Sequence, residues 1–249
     1  MSSARPALDL FCLPCAGASA TMYLRWRRQL PAWIRVLPLE LPGRGSRLGE
    51  PFVEDFRALV SLLCEEIYLR APGRWAIFGH SMGALLAFGV AARLQRLRAT
   101  APEMLIVSAS PAPAHRDPQR YPDTLDEAAL IADLRRQGGT PPAVFDSPEL
   151  LRMTLDTLAA DYRVCESLDS RPGAPLQIPV QVFAGRDDAI APAAVEAWRE
   201  ETESEFSLQW FDGGHFFIRQ QEAQLLQALE RRLRRLVREE DRLAAPVSA

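Results

Sequence analysis

Apolar residues along the chain gather into short runs, and most of the stretches between these runs have helical spacing. The runs contain β-branched residues and are as long as typical strands, so they predict six strands. The predicted strands are Leu8–Leu13, Ile34–Leu39, Trp75–Phe78, Met104–Val107, Val180–Ala184 and Leu208–Phe211.

Apolar residues with helical periodicity fill the intervals between most of these strands. The predicted helices are Thr21–Leu30, Val53–Leu69, Met82–Leu97, Ala193–Glu201 and Gln220–Leu243. Strands that alternate with helices in this way favour a mainly parallel sheet covered by helices on both faces, which is the α/β class.

The interval between Val107 and Val180 departs from this alternation. It contains two helix-like pieces, Leu125–Gln137 and Pro148–Leu168, and no convincing strand. An insertion at this point would lie above the carboxyl ends of the strands, where open α/β sheets bind ligands. We therefore expect a helical lid over an active site, at about residues 120–172, in a single domain that spans residues 1–249.

Composition and charge exclude several classes of partner. The chain has 249 residues, 48% of them hydrophobic, and a formal net charge of −3. It therefore has no overall basic field to attract nucleic acid or an anionic membrane. No run of about 18 apolar residues predicts a membrane span, and the first residues lack the features of a signal peptide. We expect a cytoplasmic protein.

The four cysteines are too few and too scattered to staple a chain of this length, which fits a reducing compartment. Cys12 and Cys15 have the spacing of a redox motif. A zinc site would need a second such pair or nearby histidines, and neither occurs in the sequence. We favour no metal, with one cysteine in a strand and the other at the end of that strand.

A candidate nucleophile lies in Gly79–Gly83, which reads Gly-His-Ser-Met-Gly and fits the pattern G-x-S-x-G. The pattern alone is weak, but here it follows a predicted strand and begins a predicted helix. That context predicts a sharp turn that exposes the Ser81 hydroxyl at a helix N-terminus. The N–H groups and partial positive charge of that terminus favour a developing oxyanion.

A serine hydroxyl needs a base to remove its proton. The chain has three histidines. His80 belongs to the sharp turn Gly79–Gly83, which we call the elbow, and is expected to point away from Ser81. His115 lies in a Pro-rich loop and is interpreted as a solvated side chain. His215 follows the last predicted strand and precedes the last helix, where α/β hydrolases present their base. We therefore predict His215 as the base.

The histidine in turn needs an acid that fixes its tautomer. Asp187 and Asp188 follow the penultimate predicted strand, where that acid usually lies. Asp188 is preferred because it comes three residues after Gly185, and Asp187 remains the alternative. The order Ser81, Asp188, His215 agrees with α/β hydrolases and disagrees with chymotrypsin and subtilisin.

An oxyanion hole needs two N–H donors. One is expected from Met82, directly after the nucleophile, and the other from the loop after the first strand. Ala16 is the best candidate in that loop. Cys15 beside it is interpreted as a bystander rather than a reactive thiol.

With these residues in place, the chain resembles the type II thioesterases, the stand-alone editing enzymes of nonribosomal peptide and polyketide assembly lines. The likeness runs nearly end to end, and several of its motifs are more specific than the elbow. Two departures are Cys15, where the family often has His or Tyr, and Ala18, which replaces the second Gly of the family's loop. The matching segments are Leu13–Ser19, Leu41–Leu48, the elbow with His80 and Met82, Leu134–Pro141, Ala160–Tyr162 and Gly213–Phe217.

The resemblance implies the α/β-hydrolase fold and hydrolysis of acyl or aminoacyl thioesters on the phosphopantetheine arm of a carrier domain. Such an enzyme clears stalled or misprimed groups, in a siderophore pathway among others, and needs no cofactor of its own. Its partners would be acyl or peptidyl carrier domains, bound transiently by a monomer. A general carboxylesterase or lipase, a non-catalytic carrier-binding partner and an acyltransferase remain as alternatives.

Two further interpretations stay open at this point. Carrier domains are commonly acidic, so a set of arginines is interpreted either as contacts to a carrier or as solvated surface charge. The lid leucines Leu150, Leu151 and Leu155 are interpreted either as an acyl pocket or as packing within the lid. The arginines are Arg25, Arg27, Arg28, Arg44 and Arg47.

Overall fold

Six strands form the centre of the molecule, close to where the apolar runs predict them. The computed structural model describes residues 6–71, 73–117, 119–169 and 173–244. Within these residues the strands are β1 (Leu8–Leu13), β2 (Ile34–Pro38), β3 (Trp75–His80), β4 (Leu105–Ser108), β5 (Val180–Gly185) and β6 (Phe206–Phe211).

All neighbouring strands in this sheet are parallel, in the order β2-β1-β3-β4-β5-β6. β1 has β2 on one side and β3 on the other, so the chain reverses its direction of progress across the sheet at β1. Loops that leave neighbouring strands in opposite directions open a crevice at the carboxyl ends, which is where open α/β sheets bind ligands. The predicted sheet is confirmed.

Helices cover both faces of the sheet and occupy the segment between β4 and β5. Short 3₁₀ turns occur at Ala20–Tyr23, Gly45–Arg47, Pro113–His115 and Ala197–Glu201. The α-helices are α1 (Trp26–Gln29), α2 (Phe56–Arg70), α3 (Met82–Arg96), α4 (Glu127–Gln137), α5 (Pro142–Phe145), α6 (Pro148–Glu166), α7 (Pro192–Glu196), α8 (Phe217–Gln220) and α9 (Glu222–Ala244).

Two apolar cores lie on opposite faces of the sheet because side chains alternate along each strand. On one face Phe11 and Ile77 pack with α2 and α3. On the other face Leu10 and Phe78 pack with Trp26 and the apolar side of α9. Both cores are buried, as expected for a parallel sheet covered on both sides.

The predicted helical lid is also present. Helices α4 and α6 pack through their own apolar cluster, which includes Leu130, Leu134, Leu158 and Tyr162. Gln137 and the Tyr162 hydroxyl are joined by a hydrogen bond of 2.8 Å that links the two helices. The lid is therefore a packed unit with a small core of its own.

The predicted helices differ from the structure at several ends, and three differences change the type or number of elements. Thr21–Leu30 is a 3₁₀ turn followed by the single turn α1, and Ala193–Glu201 is α7 followed by a second 3₁₀ segment. The lid also contains α5, because Pro142 begins a short helix at a point where the prolines predict only a linker. Proline is well tolerated at a first helical position, since the missing N–H would have no intrahelical partner there.

Candidate active site

Four loops meet at the carboxyl edge of the sheet and bring the predicted site residues together. Ala16 follows β1, Ser81 follows β3, Asp188 follows β5 and His215 follows β6. Because parallel strands all end at one edge, residues far apart in sequence become neighbours there.

Ser81 occupies a strained turn between β3 and α3. Its φ is +55° and its ψ is −118°, which is unusual for a residue other than glycine. Two backbone bonds hold this conformation: the Ser81 N–H donates to the Ser108 carbonyl at 2.8 Å, and the Ala84 N–H donates to the Ser81 carbonyl at 2.9 Å. Such strain costs about 1–3 kcal/mol and persists at sites where the surroundings impose it.

The two glycines of the elbow allow the close packing that this turn requires. A Cβ on Gly79 would lie 2.0 Å from the Gly83 carbonyl oxygen, and a Cβ on Gly83 would lie 2.3 Å from the Leu13 carbonyl oxygen. Both obstacles are backbone atoms and cannot rotate away. The helix, the strand and the loop after β1 are therefore packed backbone against backbone around Ser81.

His215 connects the serine to an acid. Its Nε2 lies 3.0 Å from Ser81 Oγ, and its Nδ1 lies 2.9 Å from Asp188 Oδ2. A carboxylate can only accept, so Nδ1–H donates to Asp188 and Nε2 is left to accept the Ser81 hydroxyl proton. The side chains of His215 and Asp188 are 15% and 7% exposed. This row of hydrogen bonds can activate the hydroxyl as a nucleophile.

Asp187 lies outside this row, although it is adjacent in sequence. Asp187 is exposed to solvent, and its Oδ2 accepts the Gly213 N–H at 3.2 Å. It therefore steadies the loop that presents His215 rather than contacting the imidazole. The geometry favours Asp188 over the alternative.

The two predicted oxyanion donors, Ala16 and Met82, line the same cavity as Ser81 and His215. Met82 is the first residue of α3, so its N–H has no partner within the helix. Ala16 lies in a tight turn in which the Ala18 N–H donates to the Cys15 carbonyl at 3.1 Å. Their position supports the predicted hole.

His80 and His115 take no part in the hydrogen-bonded row. His80 is fully buried, with Nδ1 2.9 Å from the Ser108 hydroxyl and its ring 5.4 Å from that of His215. Burial, together with the positive charge that His215 can carry, lowers the pKa of His80 well below its ordinary value, so His80 stays neutral. His115 is exposed at the rim of the cavity, in agreement with its interpretation as a solvated loop residue.

The cysteines are buried and unpaired within the described part of the chain. Burial raises the pKa of Cys15 to about 12, well above its ordinary value of 9.0. A thiol nucleophile reacts as its thiolate, so this raised pKa disfavours a nucleophilic role for Cys15 at neutral pH. This supports a bystander role beside the oxyanion loop.

A cavity of about 600 Å³ opens above Ser81, between the strand ends and the lid. Its volume lies within the range of about 300–1,000 Å³ that is usual for small-molecule sites. Arg136, Gln137 and Tyr162 form part of its lid side. A second cavity of about 280 Å³ lies beside the Ala16 loop, and both cavities are bordered by Ala16 and Gln137.

The interpretation of Arg44 as a contact to a carrier domain is wrong. Arg44 is 7% exposed and is paired with Asp161, so it is not available on the surface. Arg47 is engaged with Glu50 and Glu66. Arg25, Arg27 and Arg28 are exposed, as both interpretations of these residues require.

The lid leucines support the packing interpretation in part. Leu155 is buried in the cluster of the lid, and Leu151 packs against that cluster. Leu150 is exposed to solvent, at 48%. Among the described residues that line the Ser81 cavity, none of these three leucines occurs. The structure therefore favours packing within the lid over an acyl pocket for Leu151 and Leu155.

Sequence reasoning missed the groups that hold the oxyanion loop. Asp161 accepts the Gly17 N–H at 2.8 Å, and Glu40 accepts the Ala20 N–H at 3.0 Å. It also missed Arg116 and Arg120, which line the cavity. One sequence signal pointed to Arg44 and Asp161. Each lies in a segment that matches the family's motifs although no catalytic role was assigned to that segment.

Two further observations concern metals and membranes. No group of three or more His, Cys, Asp or Glu side chains in the described residues is arranged to hold a metal ion. None of the helices in the part of the chain that the structure describes combines the length and apolar character that crossing a bilayer requires.

The sequence of this chain is similar to a known protein family and to characterised relatives. The profile of the thioesterase domain matches residues 9–233. Thioesterase PikA5 of Streptomyces venezuelae is 38% identical over 221 residues, which cover 86% of this chain and 77% of PikA5.

Two solved structures have closely similar folds. One is RedJ, a thioesterase from the prodiginine biosynthetic pathway in Streptomyces coelicolor, with a TM-score of 0.85 and 35% identity over 92% of this chain and 94% of RedJ. The other is YbtT, a type II thioesterase from the yersiniabactin NRPS/PKS biosynthetic pathway, with a TM-score of 0.82 and 27% identity over 94% of this chain and 96% of YbtT.

Proposed function

This chain belongs to the thioesterase domain family and is an enzyme of the serine-hydrolase type, and we propose that it edits an assembly line by hydrolysing acyl and aminoacyl thioesters on carrier domains. The thioester would be presented on the phosphopantetheine arm of a nonribosomal peptide or polyketide synthetase. The relatives RedJ and YbtT, each described as a thioesterase of a biosynthetic pathway, support this assignment.

The hydrogen-bonded row of Ser81, His215 and Asp188 beneath a helical lid is the observation that carries the proposal. The Ser81 oxygen attacks the thioester carbonyl while its proton passes to His215 Nε2. Asp188 stabilises the imidazolium that forms. The N–H groups of Ala16 and Met82 hold the negative charge that develops on the carbonyl oxygen.

Collapse of the tetrahedral intermediate breaks the carbon–sulfur bond. His215 returns its proton to the departing thiol of the arm, and the acyl group remains as an ester on Ser81. Water then attacks that ester as His215 accepts one of its protons. Breakdown of the second intermediate restores the Ser81 hydroxyl and releases the acid.

The chain supplies the acid, the base and the first nucleophile of this reaction, and water is the second nucleophile, so we propose that the enzyme needs no cofactor of its own. The acyl group and the pantetheine arm belong to the substrate. We further propose a cytoplasmic monomer that binds acyl or peptidyl carrier domains transiently. The buried, unpaired cysteines support a reducing compartment.

The decisive assay compares a carrier domain loaded with an acyl thioester against an oxygen ester of the same acyl group. We expect hydrolysis of the carrier thioester with the higher kcat/KM. Activity on the free oxygen ester alone would instead indicate a general carboxylesterase. Transfer to an added alcohol in preference to water would indicate an acyltransferase.

Ser81→Ala is the matching variant for this assay. It removes the nucleophile without crowding the elbow, and we expect turnover to fall by about 10⁴-fold or more. Binding of the carrier domain should persist in the variant. Unchanged turnover would contradict catalysis by Ser81 and favour a non-catalytic binding role.

A further inference from the structure

Two side chains that are distant in sequence form hydrogen bonds with the backbone of the loop that carries Ala16. The Gly17 N–H donates to Asp161 Oδ2 at 2.8 Å. The Ala18 carbonyl accepts from Arg44 Nη1 at 3.2 Å. One donor and one acceptor of the loop are thus bound to two side chains that also bind each other.

Arg44 and Asp161 form a buried, bidentate ion pair. Nη1 lies 2.6 Å from Oδ2, and Nη2 lies 2.6 Å from Oδ1. The side chains are 7% and 1% exposed. Paired, planar contacts of this kind have a narrow range of geometry, so the two residues fix each other's orientation as well as compensating each other's charge.

The turn between Cys15 and Ala18 explains why this orientation matters. Gly17 is its third residue and has a φ of +72°, while the Ala18 N–H donates to the Cys15 carbonyl. The peptide between Ala16 and Gly17 is the central one of such a turn, and it is the peptide that can rotate between alternative turn types. Asp161 holds the N–H of that peptide. Asp161 therefore fixes the conformation of the turn in which Ala16 is the second residue.

Asp161 lies on α6, so the same contact joins the lid to the loop. A Cβ added to Gly17 would lie 3.3 Å from Leu158 Cδ1, one helical turn from Asp161 on α6. The loop is therefore packed directly against the lid helix. A displacement of α6 would be transmitted to Ala16 through both contacts.

We propose that Arg44 and Asp161 are positioning residues that hold the Ala16 N–H in place for the oxyanion and couple its position to the lid. This inference rests on the proposed function, because it assigns the pair a role in hydrolysis through Ser81. Neither residue is among those that line the Ser81 cavity, so each acts through the backbone of residues 16–18.

Asp161→Asn tests the proposal with little change in shape. The amide cannot accept both contacts of Arg44 and the Gly17 N–H. We expect kcat on the carrier thioester to fall by roughly 10- to 100-fold, less than the loss of a whole oxyanion donor, with KM nearly unchanged. Arg44→Lys keeps the charge but loses the bidentate contact and should show a smaller fall of the same kind.

Two inhibitors distinguish positioning from general damage. A trifluoromethyl ketone analogue of the acyl-pantetheine adds to Ser81 and places an oxyanion in the hole, whereas a thioether analogue has no carbonyl. The variants should bind the ketone more weakly by about the same factor as kcat falls. Their affinity for the thioether should stay at the wild-type level.

Asp9→Asn is the matched control. Asp9 forms a bidentate pair with Arg35, with distances of 2.7 and 2.5 Å. Asp9 is buried and Arg35 is 44% exposed, and the pair lies on β1 and β2 away from the site. We expect normal kcat and normal ketone affinity in this variant. Circular dichroism would establish that each variant is folded. If the Asp161→Asn protein does not fold, the Arg44→Lys protein still tests the proposal.

Two results would overturn the positioning role. One is wild-type kcat in the folded Asp161→Asn and Arg44→Lys proteins, and the other is an equal loss of affinity for both inhibitors. A wild-type protein without thioesterase activity on carriers would instead defeat the proposed function itself, so the two failures can be told apart.

Discussion

At the level of single residues, the site depends on which of two adjacent carboxylates meets the imidazole. Asp188 lies 2.9 Å from His215 Nδ1, whereas Asp187 caps the Gly213 N–H from an exposed position. The buried acid keeps His215 in the tautomer whose Nε2 accepts a proton. A neutral amide at that position could present its NH₂ group and favour the other tautomer.

Asp188→Asn is therefore expected to lower kcat by about 10⁴-fold, as loss of the triad acid does in other serine hydrolases. Asp187→Asn keeps the shape and an acceptor for the Gly213 N–H and should lower kcat by less than about tenfold. Steady-state hydrolysis of an acyl-pantetheine by both variants checks this difference. Equal losses would contradict the assignment of Asp188.

At the level of elements, the elbow between β3 and α3 brings three backbone segments into contact. Gly83 faces the Leu13 and Pro14 carbonyls, so the first turn of α3 lies directly against the end of β1. This contact sets the spacing between Met82 on the helix and Ala16 on the loop. Helix-to-strand packing therefore helps to position the two donors of the predicted oxyanion hole, in addition to the side-chain contacts of Arg44 and Asp161 on the Ala16 loop.

Gly83→Ala would force these elements apart, since the new Cβ would lie 2.3 Å from a backbone oxygen. Overpacking of this kind costs about 1–3 kcal/mol of unfolding free energy, and we expect kcat to fall at least about tenfold as well. Urea unfolding and thioester hydrolysis, measured on the same protein, check both effects.

Gly89→Ala provides the matched control in the same helix. Its Cβ would meet the side chains of Val60 and Phe56 at 2.8 and 2.9 Å, about two turns from Ser81. We expect a change in stability with normal kcat. If both variants lost kcat equally, the effect would belong to α3 as a whole and not to the elbow.

At the level of the whole molecule, the protein buries four thiols, which couples its stability to alkaline pH. Burial raises the pKa of Cys15 and of Cys165 to about 12 and that of Cys64 to about 11, from an ordinary value of 9.0. Burial also raises the pKa of Cys12. Between pH 9 and these raised values, the unfolded chain loses thiol protons that the folded chain keeps.

Stability should therefore be fully retained below pH 9 and decline as pH rises from about 9 toward 11–12, because the unfolded state then binds fewer protons than the folded state. Each buried thiol contributes a loss on the order of 1.4 kcal/mol at pH 10. Urea midpoints at pH 8, 9 and 10 measure the decline.

Cys15→Ser separates the contribution of one thiol, since a hydroxyl does not ionise in this range. We expect a shallower decline between pH 9 and 10 in this variant. A midpoint that stays constant from pH 8 to pH 10 in the wild-type protein would show that the thiols are not protected as the structure indicates.

The sequence alone determined the six strands, their parallel class, the helical lid and the chain order of the serine nucleophile at 81, an acid at 187 or 188 and the base His215. These features follow from short-range patterns: apolar runs of strand length, helical spacing, and a glycine-flanked serine between a strand and a helix. The comparisons confirm the thioesterase family that the longer motifs indicate.

Only the tertiary structure decided which aspartate contacts His215, which residue pairs with Arg44 and which residues line the cavity. A shift of one residue in a loop exchanges Asp187 for Asp188, and local sequence cannot resolve such a shift. Arg44 and Asp161 are 117 positions apart, so their pairing depends on how the lid packs on the loop. An arginine typical of a surface is buried here because its partner arrives from a distant helix.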